Sequence, residues 1–176
     1  MSEKLRLFYA LEVPDDVKEE LKRYCDGIDR KNWRVVKPDQ FHITLAFMGE
    51  VDEKQLNRVI MAGEKASAID KFQLDIVDTG IFPEAGEPRV LYARVQSDEI
   101  MPLANVIREQ LKDLCDMKKF KPHLTLARRK GDRPRKEIRK IRASWQADSL
   151  VLVKSVLSNY CARHEILKRF YFKENS

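Results

Sequence analysis

Cysteine is scarce and scattered in this chain of 176 residues: Cys25, Cys115 and Cys161 lie far apart, with no C-x-x-C pair among them. That excludes a zinc knuckle or a paired-thiol redox motif, and an odd number of dispersed thiols reads as the reduced, buried cysteine of a cytoplasmic protein. Long apolar runs are lacking too. The opening MSEKLRLFYALEV is interrupted by Arg6 and Glu12, too short and polar for a secretory signal or a membrane span, and no other stretch approaches spanning length. No membrane partner is expected. Histidine occurs only three times, at 42, 123 and 164. Charge, in contrast, is plentiful: 35% of residues are charged, with a net charge of +6 and a pI near 9.2. Acidic partners such as RNA are favoured over neutral ones. A hydrophobic content of 43% suits a single unit of residues 1–176, either one core or two small lobes sharing one.

The order of elements repeats. In the first half, Arg6 to Val13 reads as a strand stopped by Pro14, and Pro14 with Asp15 and Asp16 opens a helix on whose face lie Val17, Leu21 and Tyr24. A short strand from Trp33 to Val36 and the turn Pro38-Asp39 lead into FHITLAF. A capping-box-like start at Asp52 and Gln55 opens a helix carrying Leu56, Val59 and Ile60, and Phe72 to Phe82 closes the half as a strand. In the second half, Arg89 to Val95 lies over Arg6 to Glu12. A helix from about Asp98 to Leu114 follows, then PHLTLAR, then a helix opened by Pro134 with Ile138 and Ile141 inward, then a strand from Ser149 to Leu157. The first strands are offset by 83 residues, Arg6 to Arg89, and the histidines by 81, His42 to His123. Two landmarks that agree this closely argue for an internal duplication, with repeats of about 5–82 and 88–158 joined at the Pro- and Gly-containing loop 82–88. The expected fold is α+β and bilobal, with a pseudo-two-fold relation between halves that face each other across a cleft.

Each half carries His-aliphatic-Thr-Leu-Ala. Strand alternation sends His42 and Thr44 to one face and Ile43 and Leu45 to the other, and likewise His123 and Thr125 against Leu124 and Leu126. An approximate two-fold would bring both pairs into one cleft. Histidine titrates near neutrality, at roughly pH 6.5 unperturbed, so one member of a pair can take a proton while the other gives one. Displacement at phosphorus needs those transfers on opposite sides of the atom. Threonine hydroxyls suit the non-bridging oxygens, and the scheme uses no metal and no cofactor. A lone histidine on a strand is commonly structural; two copies in frame with a repeated strand upstream are a far more specific signal.

At RLFYALEVP, FHITLAFMGEV, GIFPEAGEPRVLYARV, FKPHLTLAR and LVKSVLSNYCARHEIL the chain resembles the two-histidine (2H) phosphoesterase superfamily, and within it the RNA 2′,3′-cyclic phosphodiesterases, long called 2′-5′ RNA ligases. The resemblance runs nearly end to end. It implies antiparallel sheets lining a central cleft with helices outside, and hydrolysis of RNA 2′,3′-cyclic phosphate ends, tRNA fragments among them, to 2′-phosphomonoesters, with reverse 2′-5′ ligation as a further activity. It implies His42 as proton donor to the departing 3′ oxygen, His123 as the acceptor that activates water, and Thr44 and Thr125 as holders of the phosphate. By the same analogy Phe47 stacks on a base and Arg128 pairs with phosphate, each five residues beyond its histidine. Strict alternation would turn both away from the histidines, so the strand has to twist, bulge or end there. His164, in a closing segment with no matching partner, is read as structural or surface. Tyr9 and Tyr92 occupy equivalent strand positions, with core packing and cleft lining both open. The run RRKGDRPRKEIRKIR, residues 128 to 142, has nine basic residues and would contact substrate or cover a solvated helix. A monomer is expected. The rival readings are a catalytically idle protein that binds RNA ends, and a two-histidine enzyme acting on a small cyclic nucleotide.

Overall fold

The expected strands pair in one antiparallel sheet. In the computed structural model, which describes residues 2–132, 134, 139–158 and 162–175, the elements run β1 (Lys4–Glu12), α1 (Asp15–Asp26), β2 (Trp33–Val35), β3 (His42–Asp52), α2 (Leu56–Ala66), β4 (Phe72–Phe82), β5 (Val90–Gln96), α3 (Ile100–Gln110), β6 (His123–Arg129), β7 (Ala143–Ala147), β8 (Ser149–Leu157) and β9 (Ala162–Tyr171). Sheet order is β7-β4-β5-β6-β3-β1-β8-β9, with β2 on the side of β6.

Outward from the middle, β6-β5-β4-β7 mirrors β3-β1-β8-β9. The halves have exchanged their last strands: β4 of the first pairs with β5 of the second, and β8 of the second pairs with β1 of the first. The two groups meet at a single residue pair, Ile43 with Leu124, between the two histidine-bearing strands. The sheet curls about that seam. The α+β class and the antiparallel cleft-lining arrangement are as the sequence implies.

One face of the sheet and the helices make the main core. Leu5, Leu7, Tyr9 and Leu11 of β1 join Val17 and Leu21 of α1, Val59 and Ala62 of α2, and Leu103 and Ile107 of α3 in one buried cluster. Phe8 and Ala10, the alternate residues of β1, pack instead with Val151 and Val153 on the opposite, concave face. Burying a side chain such as Leu21 completely is worth roughly 1.5–3 kcal/mol, which fixes α1 to the outside.

The alignment of the two first strands is corrected by one residue. Ala10 pairs with Thr44 as Tyr92 pairs with Thr125, and Glu12 with His42 as Arg94 with His123. Tyr92 therefore corresponds to Ala10, not Tyr9, and a slip of one residue changes the face. Tyr9 is fully buried in the core, its hydroxyl donating to the Val59 carbonyl, and Tyr92 lies on the concave face. The expected helix from Pro134 falls largely on residues 133 and 135–138, outside the described ones. Ile141 is buried as anticipated, and Arg142 leads directly into β7, which sequence periodicity did not mark.

Candidate active site

β3 and β6 lie side by side at the seam, so their outward-facing residues converge. One cavity of about 230 Å³ is lined by His42, Thr44, His123, Thr125 and Arg128, together with Val36, Gln40, Ala162 and His164. Both expected His-Thr pairs and Arg128 are thus in one place. Phe47 is outside this cavity.

The parity conflict at Phe47 and Arg128 is resolved by a matched pair of β-bulges. On β3 the pairing jumps from Ala46 to Thr44, leaving Leu45 unopposed; on β6 it jumps from Ala127 to Thr125, leaving Leu126 unopposed. An extra residue re-aims everything beyond it by one face. Exposure follows the same sequence in both strands: the histidine and threonine half-buried, Leu45 and Ala46 or Leu126 and Ala127 buried together, then Phe47 or Arg128 exposed. Arg128 returns to the cavity, where no described carboxylate pairs with it. Phe47 is 38% exposed, and the Arg6 guanidinium carbon lies 5.1 Å from its ring centroid.

Each histidine is held by the carbonyl two residues before it. His42 Nδ1 donates to the Gln40 carbonyl at 2.6 Å and His123 Nδ1 to the Lys121 carbonyl at 2.7 Å. Since a carbonyl only accepts, Nδ1 carries the hydrogen in both, and Nε2 is left for chemistry. The halves then differ. His42 Nε2 is 3.1 Å from the Thr44 hydroxyl, which donates to it when the ring is neutral. Burial pushes the His42 pKa down to about 4, against the lift from its Gln40 bond, and the positive charges of His164, His123 and Arg128 act in the same lowering direction. Burial also lowers His123, joined by Arg128 and Lys121 and opposed by the Lys121 carbonyl.

Rings wall both imidazoles. Phe8 lies 5.1 Å from His42; Phe82 and Tyr92, stacked at 4.1 Å, stand edge-on to His123 at 5.2 and 5.7 Å. Tyr92 is laid across its cross-strand partner Gly80, where a Cβ would come within 2.5 Å of the phenol oxygen. Sequence reading placed none of these walls. The pattern of apolar residues on β1 marked Phe8 as a strand residue, but only pairing decides its face.

His164 needs the plainest correction. Read as structural or surface, it lines the cavity, with its ring 5.2 Å from His42 and nearly perpendicular to it. The signal in the sequence was too weak: a single histidine without a counterpart in the other repeat. Of the basic run, Arg128 enters the cavity, whereas Arg139 caps the other side of the molecule, its guanidinium donating to the Tyr24 carbonyl and lying over the Tyr24 ring.

Among the described residues no helix is long and apolar enough to cross a membrane. A family profile described as "LigT like Phosphoesterase" matches residues 11–92. The RNA 2′,3′-cyclic phosphodiesterase of Thermus thermophilus is 31% identical over 94% of this chain and 89% of its own length. That of Archaeoglobus fulgidus is 36% identical over 74% of this chain and 76% of its own length. A crystal structure of a Thermus thermophilus protein superposes with a TM-score of 0.90 at 30% identity, covering 98% of this chain and all of that one. The E. coli LigT structure complexed with 3′-AMP superposes with a TM-score of 0.85 at 25% identity, covering 97% of this chain and 99% of that one. The duplicated His-Thr strands, their shared cavity and this likeness agree: the chain belongs to the LigT-like phosphoesterase family, alongside the RNA 2′,3′-cyclic phosphodiesterases.

Proposed function

We propose that the chain hydrolyses the 2′,3′-cyclic phosphate end of RNA to a 2′-phosphomonoester by acid–base catalysis at His42 and His123. The observation that carries this reading is the convergence, on one small cavity, of both His-Thr pairs and an arginine that pairs with no described carboxylate. The names of the relatives supply the substrate class.

In the proposed reaction, His123 Nε2 removes a proton from water as the water oxygen bonds to phosphorus. The bond from phosphorus to the 3′ oxygen breaks on the opposite side, and His42 Nε2 delivers a proton to that oxygen. One water is consumed, and a 2′-phosphate and a free 3′-hydroxyl result; His123 ends protonated and His42 neutral, and solvent exchange resets them. Thr125 and Arg128 meet the non-bridging oxygens, and Thr44 joins them once a protonated His42 no longer draws on its hydroxyl. His42 is held neutral in the free protein by burial and by surrounding positive charge. An anionic substrate offsets that charge, so the donor is loaded as the phosphate arrives. With a 5′-hydroxyl in place of water as the nucleophile, the same ring-opening steps join two RNAs through a 2′-5′ bond, and run backwards they cleave it.

The test is incubation with a short RNA ending in a 2′,3′-cyclic phosphate, in EDTA, with separation of 2′- from 3′-phosphate products. A 2′-phosphate is expected. A 3′-phosphate, or activity restored only by added metal, overturns the scheme.

A further inference from the structure

Three imidazoles line the cavity, and the proposed reaction uses two. His42 and His123 each commit Nδ1 to a main-chain carbonyl. His164, half-buried at the cavity wall, has neither ring nitrogen bonded to a described residue. Asp39 acts on the ring electrostatically without forming an ion pair with it, and the two nitrogens are not sealed in the core, so both are open to a ligand.

Its place is well defined. His164, His42 and Phe8 form a triangle of rings with centroid distances of 5.1, 5.1 and 5.2 Å. The Gln40 side-chain amide donates to the Ala162 carbonyl, so the turn that holds His42 also ties down β9, two residues from His164. In the sheet, β9 lies on the side of β3 opposite β6, and the His164 ring meets His42 and Phe8 whereas the His123 ring meets Phe82 and Tyr92. His164 therefore stands on the flank of His42 away from His123. With phosphorus between the two reacting histidines, that flank faces the departing oxygen and the sugar bearing it.

We infer that His164 is a substrate-binding residue that hydrogen-bonds the terminal ribose at the oxygen released beside His42. This rests on the cyclic-phosphate reading of the cavity. The contact strengthens as the ring opens, because a free hydroxyl both donates and accepts where a ring oxygen only accepts.

The variant H164F keeps a ring against His42, as Phe82 does against His123 at 5.2 Å, and removes both nitrogens. Its kcat/KM for adenosine 2′,3′-cyclic phosphate should fall roughly fivefold to tenfold, the worth of one hydrogen bond. Binding of adenosine 2′-monophosphate, followed by titration calorimetry, should weaken by a similar factor, and binding of inorganic phosphate, which has no sugar, should not change. H164Q, which returns a donor and an acceptor, should recover part of the loss. Equal weakening of phosphate and nucleotide would place His164 on the phosphate and overturn the sugar assignment; no weakening of either would reduce it to a wall. Should H164F fail to fold, H164A carries the same binding comparison. A wild-type protein that turns over no cyclic phosphate would defeat the catalytic reading alone, since the calorimetric arm needs no turnover.

Discussion

His42 and His123 each turn one nitrogen into the fold and one toward the cavity, which is why neither can be replaced by the other. In the proposed scheme each supplies a separate proton transfer, so H42A and H123A should each lower kcat by roughly 10²–10⁴ with little change in secondary structure. A near wild-type rate in either, with far-UV circular dichroism unchanged, would defeat the two-histidine scheme. The same burial has a consequence for stability. His42 is held at about 4 in the folded protein, against about 6.5 when unfolded, so between these values the unfolded chain binds the extra proton. This contribution is complete above pH 6.5 and is lost as pH falls toward 4, to a limit on the order of 3 kcal/mol. His123 and His164 are lowered as well, so they act in the same direction. Urea unfolding at pH 7 and pH 5 should show a smaller acid loss in H42N than in the wild type.

Among the elements, β5 pairs with β6 at His123, and rings of β4 and β5 wall its imidazole. Tyr92 crosses Gly80 and stacks on Phe82, and both rings abut the imidazole. A methyl group at position 80 would fall 2.5–2.6 Å from the phenol end of Tyr92, which has to shift against Phe82 and His123. G80A should therefore destabilise by roughly 1–3 kcal/mol and also lower turnover, although Gly80 does not line the cavity. Thermal unfolding and kcat measured on one preparation would check both; a variant that loses stability with kcat unchanged would show that Tyr92 does not hold His123. The bulge at Leu126 works at this scale as well, since it returns Arg128 to the side where His123 and Thr125 point. R128A should raise KM about tenfold or more, and R128K should recover part of it, because lysine keeps the charge but not the two-pronged geometry.

The whole molecule is tied together by exchanged strands. β8 completes the sheet of the first repeat and β4 that of the second, so neither repeat closes its own core. We propose that 1–176 behaves as one cooperative unit. The calorimetric and van't Hoff enthalpies of unfolding should agree, and a fragment of residues 1–82, deprived of β8, should lack the dispersed amide spectrum of a folded protein. Two separate transitions would mean that the lobes are independent.

Much of this was legible locally. The His-x-Thr frame occurs twice, strand alternation puts His and Thr on one face, and the 81-residue offset of the histidines, with a like strand upstream of each, announces the duplication. Local periodicity carries these because a residue's face in a strand depends only on its neighbours. Tertiary pairing decided the rest. Whether Tyr9 or Tyr92 meets a histidine hung on a register of one residue, and the parity at Arg128 on an unopposed leucine. His164 reached the cavity because β9 pairs with β8, which had crossed to join β1. Such contacts join separate segments, in the β1–β8 pairing more than a hundred positions apart, and their register is set by which faces bury together, a property of no single segment.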